Sequence, residues 1–325
     1  MRLDFSRLRA RFSELTAARR RRQPWTVADL QAQRMLAVTV APAAAGQRPA
    51  VLDASALEYE QALPATDALT AFAQQLPATR QRWALLLPRD AYRLAVMPEP
   101  EVPASELAQS VRWQLASTLD FPVEDAAVDF LRIPTRDVQP ERSPELYVVA
   151  APGETVRTQA AVFRAARLDL QAIDIRETAQ RNLAALLEHD DELLVLVAFC
   201  ADEVRISFNW RQELYMDRLI AERSVHDETP ERRAAACERI RLQLQRSLEA
   251  VRANHPFMQA ARIVVADAPE GFIELLGSTM FDPVEALDPE ALFDLARTPQ
   301  LREPRAFMQY FHALGVALRD REVAA

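Results

Sequence analysis

Lysine is missing altogether: all 39 basic residues of the 325-residue chain are arginine. No phosphate-loop lysine, no kinase-type strand lysine and no lysine Schiff base can therefore operate, whatever short patterns surround them. Glycine is nearly as scarce, with five residues, Gly46, Gly153, Gly271, Gly277 and Gly315, none closer than six positions to another. A glycine-rich loop that wraps a phosphate in backbone amides cannot be assembled from these. The two cysteines, Cys200 and Cys237, sit in apolar or alanine-rich surroundings and read as small buried hydrophobes. With no secretory signal they give no reason to expect an oxidising compartment. The four histidines, His189, His226, His255 and His312, are scattered without His or Cys neighbours at ligand spacing, which argues against zinc. No apolar run approaches the ~20 residues needed to cross a bilayer. An excess of acid, with a formal charge of −8, gives no general attraction to nucleic acid.

What is present is a soluble globular composition, half apolar and 26% charged, long enough for about two domains. Prolines separate strand-like apolar runs from helical periodicities. The runs are 35–41, 50–53, 83–87, 92–97, 127–133, 146–150 and 170–175, then 193–200, 204–210, 214–218 and 262–266. Helical patterns fall at 66–75, 105–119, 154–166, 176–188, 230–253, 271–280 and 305–319. The acidic triplet Asp190-Asp-Glu192 reads as a solvated turn, and after it the chain restarts with three consecutive strands before a long helix. Physics alone gives an α/β class with two related lobes. Ahead of them, Met1–Arg22 carries eight arginines with apolar residues interspersed, and Arg19, Arg20, Arg21 and Arg22 stand beside Trp25. This reads either as a solvated tail or as a basic amphipathic helix riding on an anionic membrane surface.

From Leu87-Pro-Arg-Asp90 onward several segments occur in a recognisable order. They are Pro98-Glu-Pro-Glu-Val-Pro103, Glu106–Trp113, Phe121-Pro122 with Asp129-Phe130, Tyr147–Ala151, Leu170–Ala179, Gln245–Glu249 and Ala313-Leu-Gly315 through Arg319. Together they resemble PilM, the actin-like protein of type IV pilus assembly, and more closely its relative MshI of mannose-sensitive (MSHA) pilus biogenesis. The resemblance implies an α/β, actin-like (ribonuclease H-like) bilobed fold with an inserted subdomain in the first half. The organisation expected from it is a basic N-terminal segment at 1–28, a first half at 29–190 with the insertion at about 83–151, and a second half at 191–325.

Departures from that family narrow the expectation. Actin-like ATPases hold nucleotide with two aspartate-x-glycine hairpins and a glycine pair after a late strand. Placing the first hairpin at Val38–Gly46 leaves it without an acid; the second falls at Ala198 and Cys200, with Asp202 nearby; and Ala266-Asp267 stands where the glycine pair belongs. A carboxylate there would face the phosphates and repel them. The expectation is therefore a non-catalytic pseudo-ATPase without nucleotide or metal, the alternative being an active actin-like ATPase. No Gly-x-Ser-x-Gly elbow offers a different hydrolase.

The resemblance further implies a cytoplasmic scaffold at the inner-membrane face that binds the N-terminal tail of a PilN-like bitopic protein in a groove beside the insertion. A pilus motor ATPase is a further possible partner. Candidate lining residues are Arg112 and Trp113, with Tyr92 and Arg93 on the preceding strand. Trp and Arg are frequent interface anchors. A type II secretion platform component, which shares the fold, is a further alternative, disfavoured because the sequence ends without a membrane span.

Overall fold

The computed structural model describes residues 23–31, 34–43, 46–58, 65–76, 81–134, 144–189, 191–200, 203–223 and 229–320. Two five-stranded sheets of the same plan organise it. In the first, β1 (Trp25–Leu30), β2 (Arg34–Ala41) and β3 (Ala50–Glu58) form an antiparallel meander, and β4 (Arg82–Leu86) and β8 (Leu170–Asp174) add in parallel, giving the order β3-β2-β1-β4-β8. In the second, β9 (Leu193–Phe199), β10 (Val204–Trp210) and β11 (Glu213–Ile220) form the meander, and β12 (Ala261–Ala266) and β13 (Val284–Ala286) complete β11-β10-β9-β12-β13.

The sheets are buried on both faces, which is why their central strands read as unbroken apolar runs. Along β9, Leu194, Leu196 and Ala198 face one cluster while Leu193, Val195, Val197 and Phe199 face another. The first of these clusters lies between the two sheets. It is filled by α4 (Arg176–Leu187) and α8 (Pro304–Ala317), through Ala179, Leu183, Phe307, Phe311 and Leu314. On the outer faces, α1 (Ala65–Gln75) and α3 (Gly153–Ala165) cover the first sheet, and α5 (Pro230–Asn254) and α6 (Phe272–Thr279) cover the second. A short α7 (Pro289–Leu292) precedes a backbone bridge from Asp294 to Ala50 at the edge of β3.

Three boundaries differ from the sequence expectation. First, β1 begins at Trp25, inside the segment assigned to a basic tail. Thr26 and Asp29 break its apolar pattern, yet both are buried, Thr26 against Thr39 and Gln81 and Asp29 beside Gln31. Trp25 is likewise buried rather than facing a membrane: its Nε1 donates to Asp320 at 3.2 Å, and Arg82 and Arg319 stack on its ring. Arg82 also pairs with Asp320, so the two described ends of the chain meet here. Second, α8, assigned to the second half, packs across β1, β2 and β4 of the first sheet as well as along α4. Third, β13, unread in the sequence, is only three residues long. Residues Arg19–Arg22 lie outside the described residues, as do Asp190 and Asp202.

The insertion is a separate layer that starts later than the expected 83, because Arg82–Leu86 is strand β4 of the first sheet. Strands β5 (Arg93–Pro98), β6 (Ala126–Ile133) and β7 (Glu145–Pro152) pair antiparallel in the order β5-β7-β6. One face packs α2 (Ala104–Leu115) through Leu107, Val111 and Leu115 against Leu146, Val148 and Ala150. The opposite face turns Tyr147 and Ile133 toward the second lobe.

Just past α4, burial lifts the Glu188 carboxyl to about 7, with Glu213 adding repulsion and the Gln212 amide partly offsetting both. The folded protein thus holds a proton that the unfolded chain releases near 4.5, the ordinary value. The stability this confers is complete below about pH 4.5 and lost as pH rises through 7. Glu188→Gln is expected to remove on the order of 2 kcal/mol of pH dependence across that window. Urea midpoints at pH 5 and pH 8 measure it; an unchanged slope would mean the carboxyl is charged throughout.

Candidate functional site

The matching plan of the sheets identifies which turns correspond. In the first sheet Asp29 stands opposite Leu86 of the parallel neighbour, and in the second Ala198 stands opposite Ala266, each at the penultimate residue of its strand. The first hairpin is therefore β1–β2, not 38–46, and it does carry an acid, Asp29. The misplacement follows from having missed β1. Burial raises the Asp29 carboxyl above its ordinary value, while Gln31, Arg176 and Arg34 draw it back. The position two beyond Asp29 holds Gln31, whose amide donates to that carboxylate at 2.8 Å and whose oxygen accepts from Arg34 at 2.7 Å.

Around the second hairpin the groups are Cys200, Glu203, Asp267 and Arg176. Burial pushes the Cys200 thiol up to about 11, so it is no nucleophile at neutral pH. Asp267 follows β12 with φ 52°, the left-handed backbone for which a glycine would be the easy choice. Arg176, the first residue of α4, reaches Glu203 at 3.5 Å. Among the described residues no group of three His, Cys, Asp or Glu side chains is arranged to hold a metal ion.

Deeper in the same region lies an ionic hub. Arg205 on β10 is fully buried and contacts Glu177 of α4 at 2.8 Å, Asp217 of β11 at 2.8 Å and Glu203 at 3.5 Å. Burial opposes its charge, but Asp217 and Glu177 outweigh that and raise its pKa further. Burial pushes the Asp217 carboxyl up to about 6, against the pull of Arg205. Tyr92 donates to Glu177 at 2.7 Å, and the Tyr147 hydroxyl accepts the Asp217 amide at 3.0 Å. His312 of α8, next to Arg176 and Arg205, is held neutral by burial and by those two cations.

The four residues expected to line a partner groove separate. Tyr92 is wholly buried in the hub, because its hydroxyl is committed to Glu177; it is not a surface residue. Arg112 donates to the carbonyls of Ala126, at 2.8 Å, and Val123, and so ties α2 to the turn before β6. Arg93 is exposed and pairs with Asp120 at 2.7 Å. Trp113 alone is a bare apolar anchor, 76% exposed on the outer face of α2. Val96, 52% exposed, lies on the edge strand β5 of the same layer. The hub escaped the sequence reading, although arginine at an inward position of Val204-Arg-Ile-Ser-Phe-Asn-Trp210 was its signal.

Comparison with solved structures bears on this architecture. A chain of the PilM–PilN type IV pilus biogenesis complex is 22% identical, with a TM-score of 0.66 over 93% of this chain and 99% of its own. The fold is actin-like. The cytoplasmic domain of EpsL, an inner-membrane component of the Vibrio cholerae type II secretion system, gives 12% identity and a TM-score of 0.49 over 93% and 98% of the chains. A Bacteroides thetaiotaomicron protein of unknown function with an actin-like ATPase fold gives 10% and 0.47 over 95% and 99%. No protein-family model matches the chain. No curated protein matches it in sequence.

Proposed function

We propose that this protein is a non-catalytic scaffold of a type IV pilus assembly platform, of the MSHA type, at the cytoplasmic face of the inner membrane. It holds the N-terminal tail of a PilN-like bitopic protein. The observation that carries the reading is the full-length agreement with a chain of the PilM–PilN complex, combined with a bare Trp113 on the inserted layer. No described helix is long and apolar enough to span a membrane. A pilus motor ATPase is a second candidate partner.

The pseudo-ATPase part of the reading is supported by Gln31, Ala198, Cys200 and Asp267 at the phosphate-loop positions and by Arg176 among them. Asp29 favours the competing reading, a nucleotide-binding protein. Fluorescence anisotropy with a labelled peptide of a PilN-like tail tests the scaffold, with calorimetric titration of Mg-ATP as a parallel arm. Micromolar peptide binding, weakened about tenfold or more by Trp113→Ala, is the expected result. Micromolar ATP binding would instead restore the nucleotide reading. Deleting residues 1–22 is expected to reduce sedimentation with phosphatidylglycerol vesicles without changing the thermal midpoint; equal sedimentation would remove the membrane role of Arg19–Arg22.

A further inference from the structure

The geometry points to the Arg205 hub as a built-in clamp that couples the inserted subdomain to closure of the two lobes. The hub joins three bodies pairwise. Arg205 and Asp217 belong to the second sheet, Glu177 to the helix that follows the first, and Tyr92 and Tyr147 to the start and centre of the inserted layer. The Arg205–Glu177 pair crosses between the lobes. Tyr92 to Glu177 fastens the insertion to the first lobe, and Tyr147 to Asp217 and to the Tyr215 carbonyl fastens it to the second.

Two of the residues that hold the guanidinium are thus tied to tyrosines of the insertion, Glu177 through its carboxylate and Asp217 through its backbone amide. Arginine suits this position because its planar fork keeps its charge and serves several acceptors at once. The site is buried, so the attractions are strong while it is shut and collapse once bulk water enters. That makes closure cooperative: displacing either tyrosine weakens the hold on the guanidinium and thereby the contact between the lobes. Beside the hub, α4 packs against α8 through Ala179, Leu183, Phe311 and Leu314, with Gly315 lying against the Ala179 carbonyl. The chain itself supplies the charges that hold the lobes together. This goes beyond the scaffold reading and stands whether or not a pilus partner binds.

Amide hydrogen exchange and small-angle scattering on the full chain test the clamp. Tyr147→Phe is expected to speed exchange about fivefold in β10 and the first turn of α4, where Tyr147 has no hydrogen bond. Tyr92→Phe should do the same in β11. Increases confined to each hydroxyl's own neighbours would overturn the coupling. The neutral variant Glu177→Gln/Arg205→Met/Asp217→Asn removes every charge of the central pairs; a larger radius of gyration is expected. Scattering and exchange identical to the parent would reduce the hub to core packing and end the proposal. The tyrosine variants leave the ionic centre whole, so they decide the matter even if the triple variant does not fold.

Discussion

Gly315→Ala is expected to cost about 3 kcal/mol or more, lowering the thermal midpoint by roughly 5 °C or more. A Cβ on Gly315 would sit 2.2 Å from the Ala179 carbonyl oxygen and 2.7 Å from its carbon. Both atoms are backbone, so no side chain can rotate away. The α4 and α8 helices would have to move apart, loosening the cluster that joins the sheets. The Asn182 amide, which donates to the Gly315 carbonyl at 3.0 Å, would also be displaced. Circular dichroism melts measure the effect; an unchanged midpoint would mean the helices do not approach this closely.

Arg205→Met is expected to be of similar or larger size, about 3–5 kcal/mol, the usual cost of removing one partner from a buried ion pair. Methionine fills much of the volume, but Glu177 and Asp217 would then face each other without the cation between them in a buried site. The variant also carries a pH signature. Without Arg205 the Asp217 carboxyl loses the cation that opposes the effect of its burial and moves further above its unfolded value, so the folded variant gains stability by proton uptake as pH falls. The deficit against the parent should be largest at pH 8 and shrink by pH 5 in urea titrations. A constant deficit would assign the loss to packing instead.

How much of this was legible depended on which residues reported their surroundings. Strand β9 and its partner β10 were plain, since a strand covered on both sides needs apolar residues throughout. Strand β1 of the other sheet was not, because Thr26 and Asp29 interrupt its apolar run; Thr26 is buried against Thr39 and Gln81, distant in sequence, and Asp29 beside Gln31. Losing β1 shifted the first hairpin by one strand and hid Asp29. Tyr92 and Trp113, both expected at a partner surface, part company: the first is interior and the second exposed. Only the partner 85 positions away, Glu177, shows that the tyrosine is interior. Trp113 occupies the helix face left bare by Leu107, Val111 and Leu115, and its exposure follows from that spacing.

The meeting of Trp25 with Arg82, Arg319 and Asp320 makes the described chain a closed circuit in space. Sequence order is then a convention of synthesis rather than a requirement of the fold. A circular permutant joined from Asp320 to Gln23 and opened at the Arg211-Gln212 turn would retain every sheet pairing.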